Sequence, residues 1–355
     1  MLTSYGWSDR LQQDFIPDAA QGLTPGRVVV QQRGLYRLAT PLGELAAELS
    51  GRFVHEAQAG EHPVAGDWVA VTARPGEGTA TINRLLPRAS AFTRKAAGGV
   101  GTQVVAANVD IAFLAASLNA DLNLRRIERY LALTYESGAT PVVVLTKADL
   151  CDDVAEACGQ VEAIARGVPV LAVSALTGEG LAALAGHLPA GRTAVLLGSS
   201  GVGKSTLVNA LAGEHRMAVQ AIREHDARGR HTTSHRELVL LPSGGLLLDT
   251  PGMRELGMWD ADAGVAATFA DIEALAQACR FSDCRHQAEP GCAVQAAVAA
   301  GELDEDRLAA FGKLQRELAH TERKEDPRAR AAGRKVGASR SKALRAHLKS
   351  RERKG

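Results

Sequence analysis

Between Gly26 and Leu86, apolar and polar residues alternate in short runs, and glycine or proline breaks the runs. Gly26–Arg33, Leu35–Thr40, Gly43–Leu49 and Asp67–Thr72 alternate or run apolar, which predicts strands of a small antiparallel barrel over 26–90. An OB-fold and an SH3-like barrel both fit that pattern. Before it, residues 1–25 show a short helical stretch near Asp9–Phe15, then Pro17 and Pro25 as breakers, and read as an extension. Ser90–Ala107 is rich in glycine, alanine and threonine and reads as a linker.

After the linker the period changes. Val109–Ala116 is a nearly continuous apolar run, suited to a strand covered on both faces. Leu124–Ser137 has helical spacing, with Ile127, Leu131 and Tyr135 on one face. Strands are predicted at Pro141–Leu145, Val168–Val173, the run ending at Leu197, and Gly245–Leu248. Helices are predicted at Val154–Ala165, Gly180–Leu188 and from Lys204 onward. Such alternation implies a parallel sheet with right-handed crossovers over 91–257. Two further helices, Val265–Ala278 and Asp304–Ala319, define a mainly α region over 258–320. The fold class is therefore multidomain: an antiparallel β-barrel, a central α/β domain and a C-terminal helical domain.

Composition narrows the setting. The chain has 355 residues, 46% hydrophobic and 23% charged, which fits two or three ordinary globular domains. No run approaches the roughly 20 apolar residues that span a bilayer, and Met1–Phe15 has no apolar signal-peptide core. The chain is expected to be a cytoplasmic monomer with no membrane partner. The net charge of +1 conceals an asymmetry: residues 321–355 hold 13 of the 41 Lys and Arg but only 4 of the 40 Asp and Glu. A basic, disordered tail of this kind suits a polyanion, nucleic acid first, although a merely solvated tail has the same composition. Arg27, Arg33, Arg37 and Arg52 could give the barrel a basic face, or be scattered surface residues.

The chemistry lies in the loops. Gly198-Ser199-Ser200-Gly201-Val202-Gly203-Lys204-Ser205, followed by Thr206, is a P-loop between a strand and a helix. Its glycines bring backbone N–H groups close to phosphate oxygens at the positive end of the helix. Lys204 would reach the β- and γ-phosphates, and the Ser205 hydroxyl would ligate Mg²⁺. Thr146-Lys147-Ala148-Asp149 follows another strand, and its carboxylate can accept from both N1–H and the exocyclic amine of guanine. Adenine lacks that donor pair. Ser174-Ala175 follows the next strand, where a backbone N–H could meet guanine O6. Asp249-Thr250-Pro251-Gly252 would hold Mg²⁺ through Asp249 and sense the γ-phosphate through the Gly252 N–H. Thr232 or Thr233, in the polar segment Gly229–Ser234, is the natural second hydroxyl ligand.

These are the five elements of a GTPase in a permuted order, with the base-reading loops ahead of the P-loop. Met253 stands where many GTPases carry a glutamine that orients the attacking water, and a thioether cannot do this. Turnover should therefore be slow, with His231 the candidate group that assists it, unless it is a solvent-facing loop histidine. Five cysteines are present. Cys151 and Cys158 read as packing residues. Cys279, Cys284 and Cys292 with His286 form a Cys₃His set suited to one structural Zn²⁺ per chain, supporting helices with little core of their own.

The permuted motifs and the Cys₃His spacing together resemble the circularly permuted, ribosome-dependent GTPases known as RsgA, YjeQ or EngC, over about residues 26–320. The resemblance implies an N-terminal OB-fold, a permuted GTPase domain and a zinc domain. It also implies binding to the small (30S) ribosomal subunit and its rRNA, GTP hydrolysis stimulated by the subunit, a role in late subunit maturation, and catalysis by His231. One departure is Thr146, where such GTPases usually carry an asparagine that ties the base loop to the P-loop; binding is expected to be weaker for it. Two other readings remain at this stage: an RNA-tethering module in which hydrolysis is incidental, and an ATPase or small-molecule kinase.

Overall fold

The computed structural model describes residues 2–32, 34–57, 60–95, 102–119, 122–213, 236–249 and 261–325. Arg33, the segment 229–234 with His231, Thr232 and Thr233, residues 250–252, Met253 and the tail from 326 onward lie outside the described residues.

The N-terminal extension has more structure than its sequence suggests. Ser8 caps α1 (Asp9–Ala19), which carries Pro17 near its end. Leu2, Leu11 and Phe15 bury against Trp68, Ala70 and Leu86, and Asp18 holds Arg84. The barrel follows as β1 (Thr24–Gln32), β2 (Leu35–Thr40), β3 (Gly43–Leu49), α2 (Gly51–Glu56), β4 (Trp68–Arg74) and β5 (Thr79–Leu85). Its order is β1-β2-β3-β5-β4, and β4 pairs back onto β1. Only the β3–β5 pair is parallel. That is a closed five-stranded OB-type barrel. In β4, Val69 and Val71 face the barrel interior, while Trp68 and Ala70 face the N-terminal segment. Both faces are covered, so its period of two is masked by an all-apolar run.

The expected linker is a hairpin. β6 (Ala91–Lys95) pairs antiparallel with β7 (Thr102–Ala107), and Phe92, Val104, Val105 and Ala106 are buried. Small residues there fit close packing rather than flexibility.

The central sheet comprises β8 (Ile111–Ser117), β9 (Thr140–Thr146), β10 (Val170–Val173), β11 (Thr193–Leu197), β12 (Arg236–Leu240) and β13 (Leu246–Asp249). Its helices are α3 (Leu124–Ser137), α4 (Val154–Ile164), α5 (Leu181–Gly186) and α6 (Lys204–Ala212). The order is β10-β9-β8-β11-β13-β12, parallel except for β12. β12 was not expected. It also pairs antiparallel with β1, Val30 opposite Glu237 and Gln31 opposite Arg236, so barrel and sheet form one eleven-stranded surface among the described residues.

Arg27 sits where β1 leaves β4 for β12, and it is 2% exposed. It donates to the carbonyls of Gly66, Tyr5 and Asn108 and to the Thr193 hydroxyl, and lies 5.1 Å above the Trp68 ring. It is therefore not part of a basic face. Arg37 and Arg52 are exposed but paired with acidic neighbours, so a basic barrel face is not assembled from these arginines.

The C-terminal helices are α7 (Asp262–Thr268), α8 (Ala270–Ala276), α9 (Ala293–Ala299) and α10 (Glu305–Glu325). The single helix expected over 265–278 is broken at Phe269, whose ring is buried beside Phe311. These helices have little core of their own, and they complete it on α3. Phe269, Ile272, Phe311 and Leu314 join one cluster with Ile127 and Leu131. A Cβ at Gly264 would lie 2.0 Å from the Ala132 carbonyl oxygen, so only glycine lets α7 approach α3 this closely. Arg307 is buried across the same seam, bound to Glu128 of α3 at 3.0 Å and twice to Asp271 at 2.8 Å. Burial pushes the Asp271 carboxyl up, but Arg307 outweighs it and holds the group below its ordinary value.

Removing one partner of a buried ion pair strands the other. Arg307→Leu is expected to lower stability by about 3–5 kcal/mol, read as a fall in the urea midpoint. An unchanged midpoint would show that this seam does not hold the C-terminal helices.

Candidate functional site

Parallel register brings the chemistry to one edge of the sheet. Ser117 lies beside Thr146, Thr146 beside Val173, and Leu114 beside Leu197. The loops after β8, β9, β10 and β11 therefore emerge together at the carboxyl ends of their strands, where open α/β sheets bind ligands. Asp249 ends β13, next to β11, on the same edge.

The P-loop curls from β11 into α6. Gly201 and Gly203 take φ of 78° and 98°, and Gly203 is the helix N-cap with no side chain to occupy the first free N–H groups. Val202, 1% exposed, anchors the curl to the core, while Ser200 faces out. The Lys204 Nζ donates to the carbonyls of Gly198 and Ser199 at 2.7 and 2.5 Å, which puts the ammonium inside the curl. Ser205 and Thr206 follow in the first turn, Ser205 half-buried and Thr206 exposed.

The loops after β9 and β10, expected to read the base, close on this curl. Thr146 is buried, and its hydroxyl donates to the Val202 carbonyl at 2.6 Å. The tie that an asparagine makes in other GTPases is thus made here by a hydroxyl. Lys147 adopts a left-handed φ of 59°, an unusual conformation for a side-chain-bearing residue, and its Nζ reaches the Gly201 carbonyl at 3.0 Å. Its stem therefore runs from the base loop to the phosphate loop. Asp149 is exposed in the short turn Ala148–Leu150. Ser174 is fully buried; its Oγ accepts from the Thr177 N–H and its own N–H donates to Glu179, folding the turn that presents Ala175. Lys204, Ser205, Asp249, Thr146, Lys147, Asp149, Ser174 and Ala175 are all brought to this edge. One further residue reaches it that sequence reasoning missed: Arg126 of α3 donates to the Ser199 hydroxyl at 3.1 Å.

The second site is the Cys₃His set. The ligand atoms of Cys279, Cys284, His286 and Cys292 lie within 4.8 Å of one another. His286 Nδ1 is 3.6 Å from the Cys279 sulfur and 3.5 Å from that of Cys292, and the two sulfurs are 3.9 Å apart. A tetrahedral ion with metal–sulfur bonds near 2.3 Å and metal–nitrogen bonds near 2.0–2.1 Å requires edges of about 3.8 and 3.6 Å. Cys279, His286 and Cys292 match these edges, and the Cys284 sulfur lies within 4.8 Å of them. Sequence reasoning missed two supports. Gln295 holds the His286 carbonyl at 2.6 Å. Backbone N–H groups of Gln287, Arg285 and Ala288 bind the Glu289 carboxylate and hold it down at about 2. The loop between His286 and Cys292 is thereby ordered by its own backbone.

Sheet order, a P-loop at its centre and base-reading loops supplied by earlier strands define a P-loop GTPase fold joined in permuted order. Residues 85–259 match the RsgA GTPase family model. The chain is 52% identical to a Streptomyces coelicolor protein named small ribosomal subunit biogenesis GTPase RsgA, over 94% of this chain and 91% of that one. It is 48% identical to the Opitutus terrae protein of the same name, over 92% of each. Among solved structures, YjeQ from Thermotoga maritima superposes with a TM-score of 0.65 at 27% identity, covering 84% of this chain and 99% of that one. The chain belongs to the RsgA GTPase family and is a GTP hydrolase.

Thr146→Val keeps the shape of the side chain and deletes its donor, leaving the Val202 carbonyl unpaired. GDP affinity is expected to fall about tenfold, the scale of one buried unpaired carbonyl. Titration with a fluorescent GDP analogue checks this, and undiminished affinity would mean the tie is dispensable.

Proposed function

We propose that this chain hydrolyses GTP to GDP and phosphate on the small ribosomal subunit and acts in late maturation of that subunit, in the cytoplasm and as a monomer. The observation that carries the partner is identity of 48–52% over more than nine-tenths of both chains with proteins named for small-subunit biogenesis. The OB-type barrel, a fold that suits oligonucleotides, and the Cys₃His module supply two surfaces for rRNA. The basic residues beyond 321 add attraction for polyanions.

Within the site, Asp149 reads guanine, Lys147 covers the ring with its stem, and an Ala175 N–H meets O6. Lys204 holds the β- and γ-phosphates. Mg²⁺ neutralises charge on the transferred phosphoryl group when bound, and Ser205, Asp249 and Thr232 or Thr233 are the residues that would hold it. The Gly252 N–H senses the γ-phosphate. His231 assists hydrolysis in place of the glutamine position held by Met253. Cys279, Cys284, Cys292 and His286 would hold one Zn²⁺, since three thiolates and an imidazole gathered within 4.8 Å suit that ion.

Turnover of GTP is expected to rise on the order of tenfold or more with purified small subunits, and His231→Ala to abolish most of that rise. No stimulation would overturn the partner while leaving the nucleotide site intact. Asp149→Asn should move preference from GTP toward xanthosine triphosphate, which an adenine-reading site would not do. Elemental analysis should find one zinc per chain, lost in Cys284→Ser; a protein that folds fully without metal would refute the structural role.

A further inference from the structure

The contact between Arg126 and the phosphate loop stands outside the five GTPase elements. Arg126 lies in the first turn of α3, 73 residues before Ser199, and its guanidinium donates to the Ser199 hydroxyl at 3.1 Å. The Ser199 carbonyl accepts from Lys204 Nζ at 2.5 Å. Ser199 is thus held at its side chain by Arg126 and at its peptide by Lys204. The two holds differ in what a nucleotide does to them. Lys204 is the residue whose ammonium serves phosphate, and of its three donors any that turns to a phosphate oxygen no longer serves a carbonyl. Arg126 holds the Ser199 side chain without drawing on that ammonium.

A brace is only as good as its base, and α3 is a rigid one. Asn123 caps it. Ile127 and Leu131 are buried in the cluster that joins the sheet to the C-terminal helices, while Glu128 is pinned by Arg307. Arg129 makes a paired contact with Glu317 of α10 at 2.9 and 2.6 Å. The Glu136 carboxylate accepts from the Gly264 N–H at 3.0 Å. α3 is therefore fixed by apolar packing and by four charged contacts along its length, and the position of Arg126 with it.

We propose that Arg126 is a positioning residue for GTP binding and hydrolysis: it braces Ser199 from α3 and keeps the phosphate loop in its working shape once Lys204 has engaged phosphate. This rests on the chain being a GTPase and adds a residue to that site. The role differs from packing in a measurable way. Packing contributes to the nucleotide-free protein, whereas a brace that matters after Lys204 turns contributes to the nucleotide-bound one.

The test uses the full chain. In Arg126→Ala, the melting temperature of the nucleotide-free protein is expected to stay within about 2 °C of the original. The extra stabilisation given by saturating GDP should shrink, because it scales with affinity. The hydrolysis rate constant at saturating GTP should fall on the order of tenfold, the scale of a slightly misplaced loop. Arg126→Lys, which keeps a donor, should recover part of both losses. Ser199→Ala should reproduce the Arg126→Ala effect, and the double variant should be no worse than either single one. A lower melting temperature without nucleotide, with the GDP-induced gain intact, would reduce Arg126 to packing. Unchanged affinity and turnover would remove its role, and additive losses in the double variant would break the link to Ser199. Failure of the unmodified chain to bind GDP or hydrolyse GTP would count against the GTPase reading instead.

Discussion

One guanidinium shut away from water joins the two halves of this molecule. Arg27 belongs to the barrel, yet its acceptors come from the N-terminal segment, the barrel, the end of the β6–β7 hairpin and the first residue of the P-loop strand. Burial pushes its pKa down to about 10, with Asp110 and Asp67 pulling the other way, so it remains a cation at neutral pH. A buried ion of this kind contributes little net stability, since desolvation offsets most of its hydrogen bonds. Its effect is geometric. Any other placement of the barrel on the sheet would leave a charge without partners, and that penalty selects one arrangement.

α3 plays the corresponding part at the other end. In an ordinary two-layer arrangement a helix buries one face and offers the other to water. Here the second face receives α7, α8 and α10, and its charged residues are matched one by one: Glu128 with Arg307, Arg129 with Glu317. The C-terminal helices therefore pack as an added layer on α3. The Cys₃His loop projects from that layer, between α8 and α9, and its ordering rests on both the donor set and the Glu289 carboxylate.

The nucleotide site was legible because its residues are contiguous and chemically restricted. A phosphate curl needs glycine at particular positions, and a guanine reader needs a carboxylate, so Gly201, Gly203, Lys204 and Asp149 stand out locally as candidates. The Cys₃His set is legible for the same reason. What stayed hidden depends on residues far apart in sequence. Nothing local distinguishes Arg27, buried, from Arg37, exposed; only the meeting of β1 with β4 and β12 does. Arg126 looks like any charged residue in the first turn of a helix. The 91–107 hairpin was mistaken for a linker because small residues signal both flexibility and close packing. β12 escaped because Arg236–Leu240 is short and polar at its start, and its partners lie in a different domain.

The shared strand has a consequence for synthesis on the ribosome. β1 finds β2 and β4, and β5 joins β3 to β4, within the first 85 residues, so the barrel can close early. Its last partner, Arg236, lies 205 residues beyond Gln31. Until the chain has grown that far, β1 keeps a free strand edge at Val30 and Gln31, and until Thr193 is made Arg27 lacks its hydroxyl. The half of the GTPase sheet proposed to read the base, β8 to β10, is also made before the half that carries the P-loop. Because long-range strand pairing waits on chain length, completion of the phosphate site and sealing of the barrel edge fall in the same late stage of folding.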